Sequence, residues 1–506
     1  MILDALHALF TPVSLFAVLI GTTSGVLVGG MPGLTATMAV ALLIPVTFAL
    51  EPLTGLLLMG GVYCGAMYGG SIPAILLRTP GTPAAVATAM EGYPMTRKGQ
   101  GGLALKVSVV ASFTGGVFST FILLLIAPAL AIFALTFGPP EYFLLALLGL
   151  AGIVSMADDE NRLIKALISG FLGLVLAVVG TDPVSGMLRY TMGITDLFDG
   201  ISFMPALIGM FSISQMLELT GENEVVSDVR AVKALKREPL PKGIFKPICL
   251  GSLIGTVIGI LPGEGATIAA FVSYNVARRR SKNPELFGKG NPEGIAAAEA
   301  GNNGCVGGSL VPTLTLGIPG NSVAAALLGG LLIHGLVPGP ELFTTHGVMT
   351  YAFILSLFIA NVVFLLLGLF MAPYFARISL TPTSMLIPVV CLFSILGAYA
   401  MNNSITDIFI ALLFGFGAII LQRTGFSLGA LILGLILGPI AETGFAQALI
   451  IGHGSYSIFF TRPQSLALWG IIIILLLSPI IQIYKQSRKK QPVDPGTNGR
   501  DDKRME

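Results

Sequence analysis

The stretch GTTSGVLVGGMPGLTAT, residues 21–37, recurs as GSLIGTVIGILPGEGAT at residues 251–267. Three glycines spaced four apart, a Pro-Gly pair and a final Thr occupy matching positions in the two copies. Glycines at this spacing share one face of a helix, where a neighbouring backbone can approach closely. Such a face suits helices that slide past each other and equally suits static, tight packing. The Pro-Gly pair is typical of a break in the helix.

A second pair of matching segments follows the first in each half of the chain. GGSIPAILLRTPGTPAA begins at Gly69 and GGSLVPTLTLGIPGNSVAA begins at Gly307, and the two align through their Pro-Gly dipeptides with one extra residue. A glycine-rich composition explains one such match by chance, but not two matches in the same order. The sequence therefore predicts a duplicated fold.

The composition predicts an all-α polytopic membrane protein. Of 506 residues, 54% are hydrophobic and 11% are charged, against about 25% charged in a soluble domain. Apolar stretches of about 20 residues, long enough to cross a hydrocarbon core, begin near residues 53, 103, 141, 163, 201, 296, 350, 383, 406, 427 and 465. We therefore predict about eleven spans, with the duplicated segments forming two further hairpins.

The charged residues divide the chain. A polar segment at 221–246 carries six Lys and Arg residues between two apolar regions. We predict a first transmembrane repeat over residues 1–220, a basic cytoplasmic linker over 221–246, a second repeat over 247–484 and a disordered cytoplasmic tail over 485–506. The four cysteines lie singly and are interpreted as packing residues.

The same charges predict that the repeats are inverted. The stretch 247–277 lies between the basic linker and a second basic run at 278–282. A re-entrant hairpin keeps both runs inside, whereas a single crossing would expose one of them. Its counterpart, residues 13–50, has no flanking Lys or Arg, as expected for a hairpin that opens outside. This topology places every Lys and Arg except Arg189 and Arg462 in the cytoplasm. Hairpin arms that each cross the membrane are the alternative.

The four Pro-Gly breaks are the predicted substrate site. A helix that stops within the membrane leaves backbone groups that only protein, water or a ligand can satisfy. Helix N-termini also carry partial positive charge, so converging ones would bind a carboxylate without a buried cation. Thr82 is the predicted N-cap of one such helix, with Pro83 at its first position, and Asn321 or Ser322 caps another. A structural kink remains the alternative at any single break. The predicted binding residues are Pro32, Gly33, Thr35, Thr37, Pro80, Gly81, Thr82, Pro262, Gly263, Glu264, Gly265, Thr267, Pro319, Gly320, Asn321 and Ser322.

A smaller set of polar residues is a candidate for binding the coupling cation. Asn302 and Asn303, within AEAGNNGCVGG, offer side-chain oxygens beside a glycine-rich segment, and Glu299 precedes them. Hydrogen bonding between helices explains the asparagines equally well. Glu264 is an acid within a membrane break, which is costly and usually functional, unless it reaches water at the hairpin tip. No catalytic, metal-binding or nucleotide-binding pattern is recognised, so neither an enzyme nor a cofactor is expected.

The sequence resembles the large membrane subunit of tripartite tricarboxylate transporters, the TctA family. The resemblance covers roughly residues 13–480 and is carried by AMYGGSIPAILLRTPG, AMEGYPMTRKG, LPGEGAT, FGKGNPEGIAAAEAGNNG and LTLGIPGNSVAAALLGGLLIHGLVPGP. Arg78, Pro80-Gly81-Thr82 and Glu264 depart from the usual family pattern, which puts a tricarboxylate substrate in question.

The resemblance implies a permease subunit in the bacterial inner membrane that works with two partners. These are a small four-helix membrane subunit and a periplasmic solute-binding protein that delivers citrate-like or other carboxylates. A sodium or proton gradient would drive this uptake, and no nucleic acid is involved. A passive anion channel is the alternative function, because a channel could share the helix breaks and the inverted symmetry.

Overall fold

The computed structural model describes residues 1–31, 33–154, 160–220, 239–263, 265–371, 374–375, 377, 381 and 383–489. Two predicted site residues, Pro32 and Glu264, lie outside the described residues, as do 221–238 of the predicted linker and 490–506 of the predicted tail.

In the part that the structure describes, the first half of the chain is helical apart from one small hairpin. Its helices are α1 (Ile2–Leu9), α2 (Pro12–Gly29), α3 (Ala36–Thr47), α4 (Pro52–Gly69), α5 (Ser71–Leu77), α6 (Ala85–Arg97), α7 (Gly101–Ala134), α8 (Pro139–Val154), α9 (Glu160–Ala177), α10 (Phe203–Ile208) and α11 (Ser214–Leu219). A π-helical turn, Gly209–Ile213, joins α10 to α11, and a 3-10 turn covers Thr195–Leu197. Strands β1 (Gly180–Thr181) and β2 (Leu188–Arg189) pair antiparallel after α9.

The second half is helical in its described residues. Its helices are α12 (Phe245–Ile260), α13 (Gly265–Arg280), α14 (Pro292–Leu316), α15 (Ser322–Ile333), α16 (Pro340–Thr344), α17 (Gly347–Phe370), α18 (Thr383–Asn402), α19 (Ile405–Arg423), α20 (Leu428–Ile451), α21 (Ile458–Thr461) and α22 (Pro463–Lys489). A 3-10 turn, Pro284–Leu286, precedes α14. The prediction of an all-α polytopic membrane protein is confirmed.

All eleven predicted spans begin on or beside a helix. Among the described residues, seven helical stretches are long and apolar enough to cross a membrane: Pro12–Gly29, Pro52–Leu77, Gly101–Ala134, Gly347–Phe370, Ser384–Asn402, Ile405–Arg423 and Leu428–Ile451. Several shorter apolar helices, such as α3, α12 and α15, lie among them. The arms α12 and α13 have 16 residues each, about 24 Å of helix, which is short of the ~30 Å core of a bilayer. Their length favours a re-entrant hairpin over two full spans.

The glycine faces bring backbones into direct contact. A Cβ added to Gly21, Gly25 or Gly29 of α2 would collide with the α4 backbone at residues 58, 62 and 66. A Cβ added to Gly251, Gly255 or Gly259 of α12 would collide with the α14 backbone at 297, 301 and 305. The two interlocks are therefore the same structure built twice, with α4 and α14 related by an offset of 239 residues. Because Gly69 then matches Gly308, the GGS letters at Gly69 and Gly307 are one residue out of structural register.

Contacts at the helix ends show that the repeats are inverted. Helices α3 and α15 run side by side, because Thr37 Oγ1 donates to Ser322 Oγ at 3.0 Å and His334 Nε2 lies 3.3 Å from Thr47 Oγ1. Helices α6 and α13 also run side by side, with Tyr274 bonded to Glu91.

The two pairs end on opposite sides of the molecule. Helices α6 and α13 both finish at a group of Lys and Arg residues that we call the basic end: Arg97, Lys98, Arg278, Arg279, Arg280 and Lys289. The α14–α15 segment starts at that end, where Gly290 contacts Met95, and finishes at the other, where His334 contacts Gly55. The first hairpin thus opens away from the basic end and the second opens toward it.

Helices from the two repeats also cover each other on the outside of the molecule. Helix α20 packs on α8 and α9, where Gly434 meets the carbonyl of Gly170 and Gly173 meets that of Leu431. The α10–α11 segment packs in a similar way on α18 and α19, with Gly209 against Ala411. Both groups of outer helices contribute residues beside the breaks, such as Phe211 and Ser427.

Candidate functional site

The helix breaks come together at one cavity, which we call the inner cavity. It has a volume of about 320 Å³ and receives residues from three of the breaks and from the start of α13. Its lining includes Thr35, Thr37, Thr82, Pro83, Thr267, Asn321 and Ser322, together with Gln215, Gln422 and Ser427 from the outer helices. Its described lining contains polar but no charged side chains. The structure thus places six of the predicted binding residues, from both repeats, around one space.

Two helices begin at this cavity with side-chain caps. Thr35 Oγ1 accepts the Met38 amide at 3.2 Å at the start of α3. Asn321 Oδ1 accepts the Ala324 amide at 2.8 Å at the start of α15, so Asn321, and not Ser322, is the cap. The remaining free N–H groups of these first turns give the cavity wall a partial positive potential.

The predicted N-cap at Thr82 is wrong. Helix α6 begins at Ala85 with no side-chain cap, and the Thr82 hydroxyl is buried without a hydrogen-bond partner. The backbone closes a tight turn instead, because the Ala85 amide donates to the Thr82 carbonyl at 3.0 Å. That turn places Pro83 before the helix and not at its first position.

The predicted glycines and prolines form the walls of the breaks. The Gly81 amide donates to the Gly70 carbonyl, and the Gly263 amide donates to the Gly320 carbonyl at 3.0 Å. The second bond joins the tip of the α12–α13 hairpin to the break that follows α14, and Pro262 packs on Gly152 beside it. Pro80 and Pro319 each lie directly before a glycine whose missing Cβ leaves room for another backbone: Gly29 at Gly81 and Gly259 at Gly320. Two further predicted glycines pack on side chains, Gly33 on Leu219 and Gly265 on Cys305.

A hydrogen-bonded group that the sequence did not reveal holds the Pro319-Gly320 break in place. Tyr63 is fully buried, its hydroxyl accepts from Asn321 Nδ2 at 2.8 Å, and it lies 2.8 Å from Ser309 Oγ. A Tyr in an apolar glycine-rich helix gives no signal of this role, because its partners are about 250 residues away in the chain.

Glu299 lies in a cage of hydroxyl groups. Its carboxylate accepts hydrogen bonds from Ser71 at 2.6 Å, Ser112 at 2.8 Å and Thr88, and Ser108 lies beside it. The side chain is completely buried between α5, α6, α7 and α14. A buried carboxylate usually has a cation or several amides as partners, whereas the described partners of Glu299 are neutral hydroxyls.

The two predicted asparagines flank this carboxylate on one side of α14. Asn302 Nδ2 donates to the Met67 carbonyl at 3.1 Å, and Asn303 Nδ2 donates to the Glu299 carbonyl at 3.3 Å. The Oδ1 atoms of both are buried without a partner. The Asn302 amide therefore makes a hydrogen bond between helices, as in the alternative interpretation, whereas the Asn303 amide bonds within its own helix. The two oxygens remain available for a ligand.

A larger cavity, the outer cavity, lies toward the end of the molecule opposite the basic end. It has a volume of about 830 Å³, and Leu332 at the end of α15 and Pro338 and Glu341 beyond it contribute to its lining. Arg189 lies within it and pairs with Glu442 at 2.6 Å and with Asp182 at 3.0 Å. The hydrogen bond to Glu442 raises the pKa of Arg189, and the backbone amides of Ser185 and Val184 lower the pKa of Asp182. Neither cavity contains a group of metal-ligating acids, histidines or cysteines among the described residues.

Comparison with known proteins gives one family match and two similar relatives. A family model described as "Tripartite tricarboxylate transporter TctA family" matches residues 15–433. An uncharacterized 52.8 kDa protein in the TAR-I ttuC' 3'region of Agrobacterium vitis is 35% identical over 483 residues, which cover 95% of this chain and 96% of the relative. An uncharacterized protein in the TAR-II ttuC' 3'region of the same organism is 35% identical over 231 residues, covering 45% of this chain and 96% of the relative. No solved structure matches.

Proposed function

The chain belongs to the TctA family of tripartite tricarboxylate transporters, and from this premise we propose that it is the large permease subunit of a binding-protein-dependent secondary transporter. It is a multi-pass membrane component of a transport system with partner subunits. The proposed substrates are citrate-like tricarboxylates or other small carboxylates, taken up across the bacterial inner membrane. The proposed partners are a small four-helix membrane subunit and a periplasmic solute-binding protein.

One observation carries the proposal: both repeats contribute helix starts to the inner cavity. Free amides at the start of α3 and α15 offer hydrogen bonds to an anion, and each helix start adds roughly half a unit of positive charge. The hydroxyls of Thr37, Thr267 and Ser322 add neutral donors. A carboxylate can bind to such a surface without a lysine or arginine, and it can leave again because no strong ion pair holds it.

The coupling cation, sodium or proton, is proposed to act at Glu299 with Asn302 and Asn303. Three other described carboxylates are buried: Glu141 pairs with Arg462, Glu91 accepts backbone amides, and Asp407 lies in the first turn of α19. Among the described residues, Glu299 has neither a cationic partner nor a backbone amide, so only neutral hydroxyls compensate its charge. A bound cation would remove that cost and link the gradient to the adjacent cavity.

The test is uptake of labelled citrate into proteoliposomes that contain this chain, the small membrane subunit and the binding protein. A sodium gradient and a pH gradient are imposed separately, and vesicles without a gradient are the control. The proposal expects accumulation above the external concentration with one gradient and with all three proteins present. Uptake that only equilibrates the two sides would identify a passive channel, and full accumulation by this chain alone without a gradient would refute the coupling.

A further inference from the structure

The Pro80-Gly81 break, here called the first break, and the matching Pro319-Gly320 break, the second break, are built from different side chains. Under the 239-residue offset set by the glycine interlocks, Tyr63 corresponds to Asn302, Gly70 to Ser309 and Thr82 to Asn321. At the second break, the Tyr63 hydroxyl bonds to both the Ser309 hydroxyl and the Asn321 amide. At the first break, Asn302, Gly70 and Thr82 occupy these positions, and no comparable network is formed.

The first break has lost a hydroxyl and a phenol ring relative to the second. Gly70 stands in place of Ser309, and the shorter Asn302 stands in place of Tyr63. Thr82 stays close to this space, because a Cβ added to Gly70 would lie 2.9 Å from Thr82 Oγ1.

Two oxygen atoms at this position have no partner. Asn302 Oδ1 and Thr82 Oγ1 are both buried and unbonded, in residues that are 1% and 4% exposed. Asn302 Nδ2 donates to the Met67 carbonyl, which corresponds to the Val306 carbonyl that accepts from Ser309 Oγ at the second break. The Asn302 amide therefore occupies the place of the Ser309 hydroxyl, next to Thr82. Unsatisfied oxygens inside a membrane protein are costly unless a ligand binds them.

The charge around this position favours a cation. Ser71, which directly follows Gly70, donates to Glu299, so a buried carboxylate lies behind the two oxygens. Thr82 lines the inner cavity, as does Met67, whose carbonyl holds the Asn302 amide, so this position lies beside the cavity. A single carboxylate with neutral oxygens suits a monovalent cation, since sites for divalent ions usually combine several carboxylates.

We infer that Asn302 Oδ1 and Thr82 Oγ1 bind a dehydrated monovalent cation of the sodium class at the wall of the inner cavity. The inference rests on the proposed function and names the coupling ion as a metal cation and not a proton. The bound ion supplies the positive charge that the described lining of the cavity lacks, so a carboxylate binds better when the ion is present. The site explains why the two breaks differ: side chains complete the second break, and the bound ion completes the first.

The test is thermal unfolding of the purified full chain in detergent with sodium, potassium or choline chloride at equal ionic strength and pH. Sodium should raise Tm by several degrees, because a ligand that binds only the folded state stabilises it. Thr82→Val removes one ligand at nearly constant volume and should raise the sodium concentration needed for half of the effect by at least about tenfold. Asn302→Ala should do the same.

Thr120→Val is the matched control, since Thr120 is equally buried but bonds to the Gly116 carbonyl of its own helix. It should keep the sodium response. Equal stabilisation by all three salts, or a full sodium response in Thr82→Val, would overturn the site. A sodium response without any carboxylate uptake would refute the proposed function and leave the cation site standing. Uptake driven by a pH gradient alone, with no sodium response, would refute the cation site and leave the proposed function standing.

Discussion

The inner and outer cavities lie at successive levels of the same two helices and differ in chemistry. The inner cavity touches the first turns of α15 and α20, and the outer cavity touches the later turns of both. The described lining of the inner cavity combines uncharged polar groups with apolar side chains. The outer cavity is larger and carries the charged side chains of Arg189, Asp199, Glu341 and Glu442. The inner cavity receives residues from both repeats at three of the breaks, whereas the outer cavity touches the end of α14 at Leu316 and Gly317.

A thin apolar layer separates them. Ala325 of α15 and Ile432 and Leu433 of α20 lie between the two cavities and surround only a small void. This arrangement puts the proposed site on the basic side of the apolar layer. A carrier needs such a layer on one side at a time, whereas an open channel would join the two cavities.

The largest expected effect comes from filling the break beside the inner cavity. Gly320→Leu should lower carboxylate uptake about a hundredfold, because small misplacements of a site have effects of this size. The structure gives the reason: a Cβ on Gly320 would lie 2.7 Å from the Ser309 side chain and against Gly259, so the break must move. The collision is with the packed backbone, and blocking the substrate directly is not required. Uptake in proteoliposomes is the measurement.

Gly417→Leu is the control for this substitution. A Cβ on Gly417, in α19, has no neighbour within 4 Å, so leucine should be tolerated there. Near-normal uptake by Gly320→Leu would show that the Pro319-Gly320 break is a structural kink.

A smaller loss is expected when the charge behind the inner cavity is removed. Glu299→Gln keeps the shape of the side chain but not its charge, so gradient-driven accumulation should fall about tenfold or more. Exchange of labelled for unlabelled substrate at equal concentrations should be less affected, because it needs no net coupling. Glu442→Gln is the matched change in the outer cavity. Equal losses of accumulation and exchange in Glu299→Gln would argue for a structural role.

Cysteine labelling sharpens the comparison between the two cavities. In a background without the four native cysteines, Thr443→Cys in the outer cavity should react with a membrane-impermeant maleimide added to intact cells. Ser427→Cys in the inner cavity should react only after the membrane is opened, because the apolar layer lies between them. Labelling of position 427 from outside would show that the layer does not close this path.

The smallest effect is expected at the ion pairs of the outer cavity. Glu442→Gln should change uptake by less than about fivefold, since a partly exposed pair contributes about 1 kcal/mol or less. Arg189 is one quarter exposed and keeps Asp182 as a second partner. Uptake at low and high ionic strength is the measurement, and a loss as large as that of Glu299→Gln would assign the outer cavity a part in coupling.

Part of this site was predictable because it is encoded locally. Proline and glycine break a helix wherever they stand, so the four breaks and their pairing could be read from the letters alone. Thr35 and Asn321 cap their helices as residues of their type do. Thr82 fails as a cap because its turn closes through backbone bonds, a choice that depends on the packing of Gly81 against Gly29 and Gly70.

The roles of Tyr63 and Glu299 were decided by tertiary structure. Tyr63 reaches Asn321 and Ser309 across about 250 residues of chain, and the hydroxyls around Glu299 come from α5, α6 and α7. Such partners carry no signal in the sequence near either residue.

By itself, the sequence determined the membrane class, the duplication, the inversion of the repeats and the positions of the breaks, since each follows from local hydropathy, charge or backbone chemistry. Only the tertiary structure decided the register of the second pair of segments, the convergence of the breaks on one cavity and the enclosure of Glu299 by neutral hydroxyl groups. The physical reason is that these features depend on which backbones can approach each other, and a glycine face specifies close approach without specifying its partner.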